Sequence, residues 1–349
     1  MTSAKTMAAI VALAIASMAS SARADENGIS FWLPGTFGSL AATPQQPGWS
    51  QAITYYHTSV SAGGDVARSR EITIGNFPAN LTATVNANIK ANVDLGLATT
   101  SYVFATPVLG GQAAVNVTGI YGANSTSLAG TLTGSLNVPP FGPVPFFRTD
   151  AINSNDVGFG DLVPQFALRW NAGVHNYMAY VTGDIPVGSY NSTRLANIGI
   201  GHGAIDAGGG YTYFNPQTGH EFSAVLGMTY NFTNPDTQYQ SGIDLHLDWA
   251  ASQFVSKQVL VGLAGYVYKQ VGCDSGSGNR VGCFESQVAG IGPQIGFLFP
   301  VGTMQGVLSL KGYKEFAAQN RPEGWNTWLT FVISPMAQAP VAAKPMIRK

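Results

Sequence analysis

Charge is what this chain most lacks. Lysine and arginine number 17 and aspartate and glutamate 18 in 349 residues, so 10% of the chain is charged, where soluble proteins carry about 25%. A soluble fold with so few charges would have trouble keeping its surface wet, whereas a β-barrel whose outer wall faces lipid needs few. The net charge of −1 lacks the basic excess of nucleic-acid binders, so no nucleic-acid partner is expected. Cysteine is nearly absent. The two present, Cys273 and Cys283, lie in one Gly-rich stretch, VGCDSGSGNRVGC, with no histidine nearby. In an exported chain this reads as a disulfide stapling a short loop, and it argues against a metal site. No metal, cofactor or catalytic motif is expected.

Long apolar runs are missing too. Residues 1–24 supply a positive start at Lys5, a short apolar core from Met7 to Ala16, and a small-x-small end, Ala22-Arg23-Ala24. That is the pattern of a cleaved secretory signal peptide, its core shorter than the roughly 20 residues of a membrane-spanning helix. The remaining chain holds no run long enough for such a helix, which leaves an exported soluble protein or a membrane β-barrel.

What is abundant is glycine, 42 residues, and aromatics, with 14 Tyr, 18 Phe and 6 Trp, arranged with period two. In DLVPQFALRWNAGVHNYMAYVTGDIPVG, Leu162, Phe166, Leu168 and Trp170 oppose Asp161, Gln165 and Arg169, and Tyr177, Val181 and Ile185 oppose Asn176, Thr182 and Asp184. TVNANIKANVDLGLA sets Val85, Ile89, Val93 and Leu95 against Asn86, Asn88, Lys90, Asn92 and Asp94; EFSAVLGMTYNF and GIDLHLDW alternate likewise. A helix would scatter these polar residues around its axis. Breaks at Gly, Pro, Asn and Asp clusters give twelve strands near 49–60, 84–107, 112–124, 158–170, 175–187, 203–214, 220–232, 240–250, 257–269, 286–299, 304–316 and 325–333. Joins such as NAGV and NPQTG are tight, while those at 61–83, 125–157, 188–202 and 270–285 are long. Short turns on one side and long loops on the other suit an all-β, transmembrane, antiparallel up-and-down barrel of about 12 strands over residues 49–333, in a bacterial outer membrane. Residues 25–48 form a Gly- and Pro-rich lead-in whose aromatics suit a partial plug; residues 334–349 read as a flexible tail.

With polar faces turned to the lumen, the candidate pore-lining residues are Lys90, Asp94, Asp161, Arg169, Asp184, Asp206, Glu221, Asp244, His246, Asp248, Lys311 and Glu315. Acids outnumber bases, a balance that disfavours anions. Asp244, His246 and Asp248 share one strand face, yet i, i+2 neighbours stand about 7 Å apart, too far for hydrogen bonds within the trio. A polar lumen ladder is the expected role. NIGIGHGAIDAGGG has the glycines of a nucleotide loop but runs straight into YTYF with no helix following, so that reading fails. Tyr211, Tyr213, Phe214, Trp170, Trp249, Tyr266, Tyr268, Trp325 and Trp328 suit interfacial girdles.

The stretches GFGDLVPQFALRW, VAGIGPQIGFLFP and LKGYKEFAAQNRPEGWNTWLTF, with the lead-in LPGTFGSLAATPQQPGW, resemble the outer-membrane family named for the meta-cleavage pathway of phenol degradation. The resemblance spans nearly the whole chain after residue 24 and implies a porin-like barrel linked to uptake of aromatic or other hydrophobic compounds. Its implied partners are outer-membrane lipid, a small-molecule solute and, during biogenesis, the barrel-insertion machinery. Passive uptake is the leading expectation. Two others stay open: a lipid-modifying enzyme using His57, His175, His202, His220 or His246, and a structural or surface-binding barrel acting through its long loops.

Overall fold

The computed structural model describes residues 30–63, 81–138, 142–279 and 282–336. The signal-peptide expectation, the first residues of the lead-in and most of the tail lie outside them. The described chain is a closed barrel of twelve strands, each antiparallel to its neighbours in sequence, with the first and last strands sealing the wall. The strands are β1 Gly48–Gly63, β2 Leu81–Val103, β3 Gln112–Val138, β4 Gly142–Ala172, β5 His175–Asp184, β6 Ala204–Phe214, β7 His220–Asn231, β8 Asp244–Phe254, β9 Val259–Gln270, β10 Gln287–Val301, β11 Met304–Gln319 and β12 Glu323–Pro335. Closure pairs Gln51 with Ile333 and runs to Ser61 with Glu323, so no open edge remains between first and last strands.

Period-two alternation builds this wall because successive side chains of a strand point to opposite faces. β7 is representative: Glu221, Ser223, Thr229 and Asn231 are buried inside, while Phe222, Leu226, Met228 and Tyr230 are exposed on the outer wall. The turns between β4 and β5 and between β10 and β11 are tight, with Gly173 and Gly302 supplying the positive φ that such turns need. Both the start of β1 and the end of β12 lie at this short-turn end.

One expected long loop proves to be strand. Residues 125–157 belong mostly to β3 and β4, which pair continuously from Gln112 with Arg169 up to Val138 with Gly142. The prolines, glycines and asparagines of that stretch, which are loop signals, hid the pairing. On the same end, residues 185–203, 271–279 and 282–286 are outside the strands. A register shift between Gly119 and Tyr121 places two β4 residues, Gly160 and Asp161, against Ile120 of β3. This is a β-bulge, which re-aims the side chains of the bulged strand.

Candidate functional site

The segment before β1 runs inside the barrel and is held there by the charges that line it. Asp248 of β8 accepts hydrogen bonds from the backbone N–H groups of Gly35 and Phe37, each at 3.0 Å. Lys311 of β11 donates to the carbonyls of Gly35 at 2.6 Å and Phe37 at 3.2 Å, and its ammonium sits 5.3 Å over the Trp328 ring. Glu221 of β7 accepts from the Leu40 N–H at 2.9 Å and the Ser39 hydroxyl at 2.7 Å. The Arg169 Nε donates to the Ala41 carbonyl at 3.4 Å, and the Thr212 hydroxyl accepts from the Ala42 N–H at 3.0 Å. Burying an irregular segment demands partners for its backbone groups, and the lumen charges supply them. Gly35 is required locally: its φ is +89°, and a Cβ there would lie 3.0 Å from the Tyr313 ring.

Aromatic stacking fixes the depth of the segment. Trp32, only 4% exposed, lies between Phe37, Tyr180 and His246, with the His246 ring 3.7 Å away and 13° from parallel. His246 in turn meets the Asp206 carboxylate at 2.7 Å, and the same oxygen accepts from Thr229 at 2.6 Å. Asp244, His246 and Asp248 therefore share the inner face of β8, as their spacing predicts, but bind different partners: Asp244 meets Asn231 at 2.9 Å, His246 meets Asp206, and Asp248 holds the inner segment. Glu315 accepts from the Tyr266 hydroxyl and the Gly324 N–H, both at 2.8 Å.

Two of the candidate lumen residues lie elsewhere. Lys90 and Asp94 are on the outer face of β2, where Asp94 meets the Tyr55 hydroxyl at 2.5 Å and the His57 ring at 2.8 Å. The apolar residues of the same strand, Ile89, Val93 and Leu95, are buried inside. Alternation was legible there but its sign is reversed: an apolar stripe marks lipid only where the lumen is polar, and here part of the lumen is not. The same inversion moves Tyr266, Tyr268 and Trp328 from the expected girdle to the barrel interior, each 4% exposed or less, while Trp325 stays outside at 47%.

The bulge at Gly160 and Asp161 organises the loop between β5 and β6. Asp161 accepts from the N–H groups of Gly188 at 2.7 Å and Ile200 at 2.8 Å, and Asn124 of β3 donates to the Asn197 carbonyl at 2.9 Å. Residues 188–200 thus fold over the lumen, with Ala196 and Asn197 buried. Asp184 faces the same space.

Between this loop, the inner segment and β1 to β3 lie two adjoining cavities of about 60 and 50 Å³ that share Ser30, Leu33, Val93 and Leu95. Tyr56, Val60 and Ile89 line the first; Ile120, Ile198, Asp161 and Asp184 line the second. Each is smaller than the ~150 Å³ that admits a benzene ring, so neither holds one as it stands. Phe31, Trp32 and Leu33 of the lining belong to the lead-in expected as a partial plug, whereas the apolar lining residues of β1 to β3 were not expected in the lumen; the signal for them was the apolar stripe of β2, the strand whose opposite face carries Lys90 and Asp94.

Each of the five histidines has its own hydrogen-bond partner. His57 meets Asp94, His175 the Tyr211 hydroxyl at 2.8 Å, His202 the Gly203 carbonyl at 3.0 Å, His220 the Thr218 hydroxyl at 2.8 Å and His246 Asp206. Among the described residues no serine hydroxyl is bonded to any of them. Cys273 and Cys283 are joined in a disulfide, so the thiols beside Glu285 are not free to ligate a metal.

Comparison with known proteins gives a family and a fold. The family described as "Putative MetA-pathway of phenol degradation" matches residues 73–331. No curated protein sequence matches the chain. Among solved structures, an outer membrane channel from Pseudomonas putida F1 aligns with a TM-score of 0.57 at 13% identity, covering 86% of this chain and 99% of that one. A Pseudomonas aeruginosa FadL homologue aligns with a TM-score of 0.33 at 10% identity, covering 90% and 97%. The CymD monoaromatic hydrocarbon channel aligns with a TM-score of 0.28 at 7% identity, covering 84% and 90%.

Proposed function

The chain belongs to this phenol-degradation family, and on that footing we propose that it is an outer-membrane channel through which small hydrophobic solutes, aromatic compounds among them, move passively inward. The observation that carries the reading is the apolar inner face of β2. Ile89, Val93 and Leu95, with Tyr56 of β1 and Leu33 of the inner segment, give a nonpolar surface at the long-loop end of the lumen. A pore for sugars or ions has no need of it, since water-filled barrels are polar inside. A solute reaching this surface trades water for apolar contact at about 25 cal/mol per Å². It then meets the Trp32 stack and the carboxylates Asp161 and Asp184, which disfavour anions.

Residues 30–47 act in this reading as a partial plug. The segment's hydrogen bonds to Asp248, Lys311 and Glu221 support a seated resting state, and solute passage requires it to shift. No energy source is needed for downhill movement of a neutral solute.

The test is uptake of a radiolabelled neutral aromatic hydrocarbon by cells that lack the gene, complemented with the native chain or with Val93→Lys. The native chain should restore fast uptake that survives an uncoupler, and the lysine variant should not. Equal uptake by complemented and empty-vector cells would end the proposal. Uptake abolished by the uncoupler would end its passive form.

A further inference from the structure

The reversed face of β2 creates a feature on the outside of the barrel that the channel reading does not use. Asn88, Lys90 and Asn92 of β2 and Ser59 and Ser61 of β1 are polar outer-wall residues, and beside them on β11 and β12 stand Lys314, Glu323 and Trp325. Together they line an open depression of about 500 Å³ on the outer wall. Register makes it one surface: Lys90 pairs with Ser61 and Ser61 with Glu323, while Asn92 pairs with Ser59, Ser59 with Trp325 and Trp325 with Lys314.

Its height is set by strand length. A tilted strand crosses the hydrocarbon in about 9 to 11 residues. Counted from the short-turn end, β1 from Gly48, β11 from Met304 and β12 from Pro335 leave the hydrocarbon near Thr58, Lys314 and Trp325. Below that level the outer wall is apolar, with Ile53, Leu310 and Leu329 exposed. The depression therefore stands at the headgroups of the leaflet on the long-loop side. Neither Lys90 nor Lys314 has an ion-pair partner among the described residues, whereas the Glu323 carboxylate is turned to the Ala318 N–H at 3.2 Å.

We infer that this depression binds the headgroup of a phosphorylated glycolipid of the outer leaflet, with Lys90 and Lys314 each taking a phosphate. Three strand spacings separate the two lysines, about 15 Å along the wall. That span suits a disaccharide-sized headgroup carrying a phosphate at each end better than a single phosphate. Asn88, Asn92, Ser59 and Ser61 offer hydrogen bonds to the sugar between them, and Trp325 offers an apolar face at the boundary, where aromatics anchor barrels.

The test uses the folded full-length protein in nonionic detergent, with retained lipid counted by native mass spectrometry. The probes are bisphosphorylated lipid A, its monophosphorylated form, phosphatidylcholine and inorganic phosphate. Retention should fall in that order of lipids, and Lys90→Ser with Lys314→Ser should weaken retention of the bisphosphorylated form about thirtyfold, at ~1 kcal/mol per lysine. Arginine at both positions should preserve it, and the single variants Lys90→Gln and Lys314→Gln give the same comparison should the double variant fold poorly. Equal retention of the three lipids, or retention unchanged by removing both lysines, overturns the inference. Displacement of the lipid by inorganic phosphate at equal concentration overturns it too, by reducing the site to one for the free ion. None of these outcomes depends on what the lumen carries.

Discussion

The indole of Trp32 lies 3.7 Å from the imidazole of His246, with the two planes 13° apart, although 214 positions separate them in sequence. The contact ties the segment before β1 to the inner face of β8. Through His246 it reaches Asp206 on β6, which is fully buried. A residue outside the barrel wall is thereby docked onto a hydrogen-bonded His–Asp pair inside it.

Replacing Trp32 with alanine should loosen the docked segment without unfolding the barrel. A buried Trp→Ala change costs about 3 to 5 kcal/mol, but here the cost falls on the docking of residues 30–47, because the strand ladders do not include Trp32. Single-channel recordings in planar bilayers should show larger or more frequent openings than the native chain, while heat-modified migration on gels stays native. Conductance identical to native would mean that the segment does not obstruct the lumen.

Asp248 and Lys311 hold opposite sides of the same short backbone run, the N–H groups of Gly35 and Phe37 and their carbonyls. Removing one buried charge strands the other, a change that costs more than removing both. Asp248→Ala should therefore destabilise the folded chain by about 3 kcal/mol, and Lys311→Met should recover part of that loss when added to it. A double-mutant cycle of urea unfolding in lipid vesicles, followed by tryptophan fluorescence, should give a coupling of about 1 to 3 kcal/mol. Simple additivity would mean the two residues act separately.

All twelve strands, their antiparallel order and the tight turns were legible in the sequence, because each rests on local signals: period two along a strand and glycine, proline or asparagine at its ends. The inner and outer faces were less so. On β7 and β8 the polar residues Glu221, Asp244, His246 and Asp248 point inward as their alternation suggests. On β2 the same rule fails for Lys90 and Asp94, since alternation fixes which residues share a face but not which face meets lipid. That choice depends on what fills the lumen, and the partners of Asp248, Glu221 and Lys311 lie some 180 to 275 positions away. The extension of β3 and β4 was hidden because its prolines, glycines and asparagines carry the same local signals as a loop.

Gly188 should tolerate no side chain. A Cβ there would lie 2.6 Å from the Gly160 carbonyl carbon and 2.8 Å from the Asp161 carboxylate, and none of these atoms is the free end of a flexible chain. Gly188→Ala should push the loop at 185–203 off Asp161, at a cost of about 1 to 3 kcal/mol. Limited proteolysis of the folded protein should then cut after Arg194, which is held to Asp156 at 2.9 Å in the native loop, much faster than in the parent. Asp161→Ala, which removes the acceptor for Gly188 and Ile200, should reproduce the effect. Unchanged cleavage in both variants would show that the bulge does not anchor the loop.

The loop between β9 and β10 has two fasteners, and they should fail separately. The disulfide joins Cys273 to Cys283 across 10 positions, a closure worth about 3 kcal/mol by loop entropy. Next to it Asp274, buried, accepts from the Tyr239 hydroxyl, the Gly242 N–H and the Gln270 amide at 2.5, 3.0 and 2.6 Å. These bonds, with that of the Gly278 N–H to the Gln238 carbonyl at 2.9 Å, fix the start of the loop to the neighbouring β7–β8 connection and leave its far part, from Gly282 to Phe284, to the disulfide and to Asn279. Changing both cysteines to serine should speed proteolytic cleavage in that far part while cleavage near Gln270 stays slow. Adding Asp274→Ala should expose the whole loop, and the barrel should still migrate as folded on unheated gels because no strand pairing is lost. If the serine variant were cut no faster than the native chain, the disulfide would be redundant with the hydrogen bonds of Asn279 to Asp274 and Gly282, both at 2.9 Å.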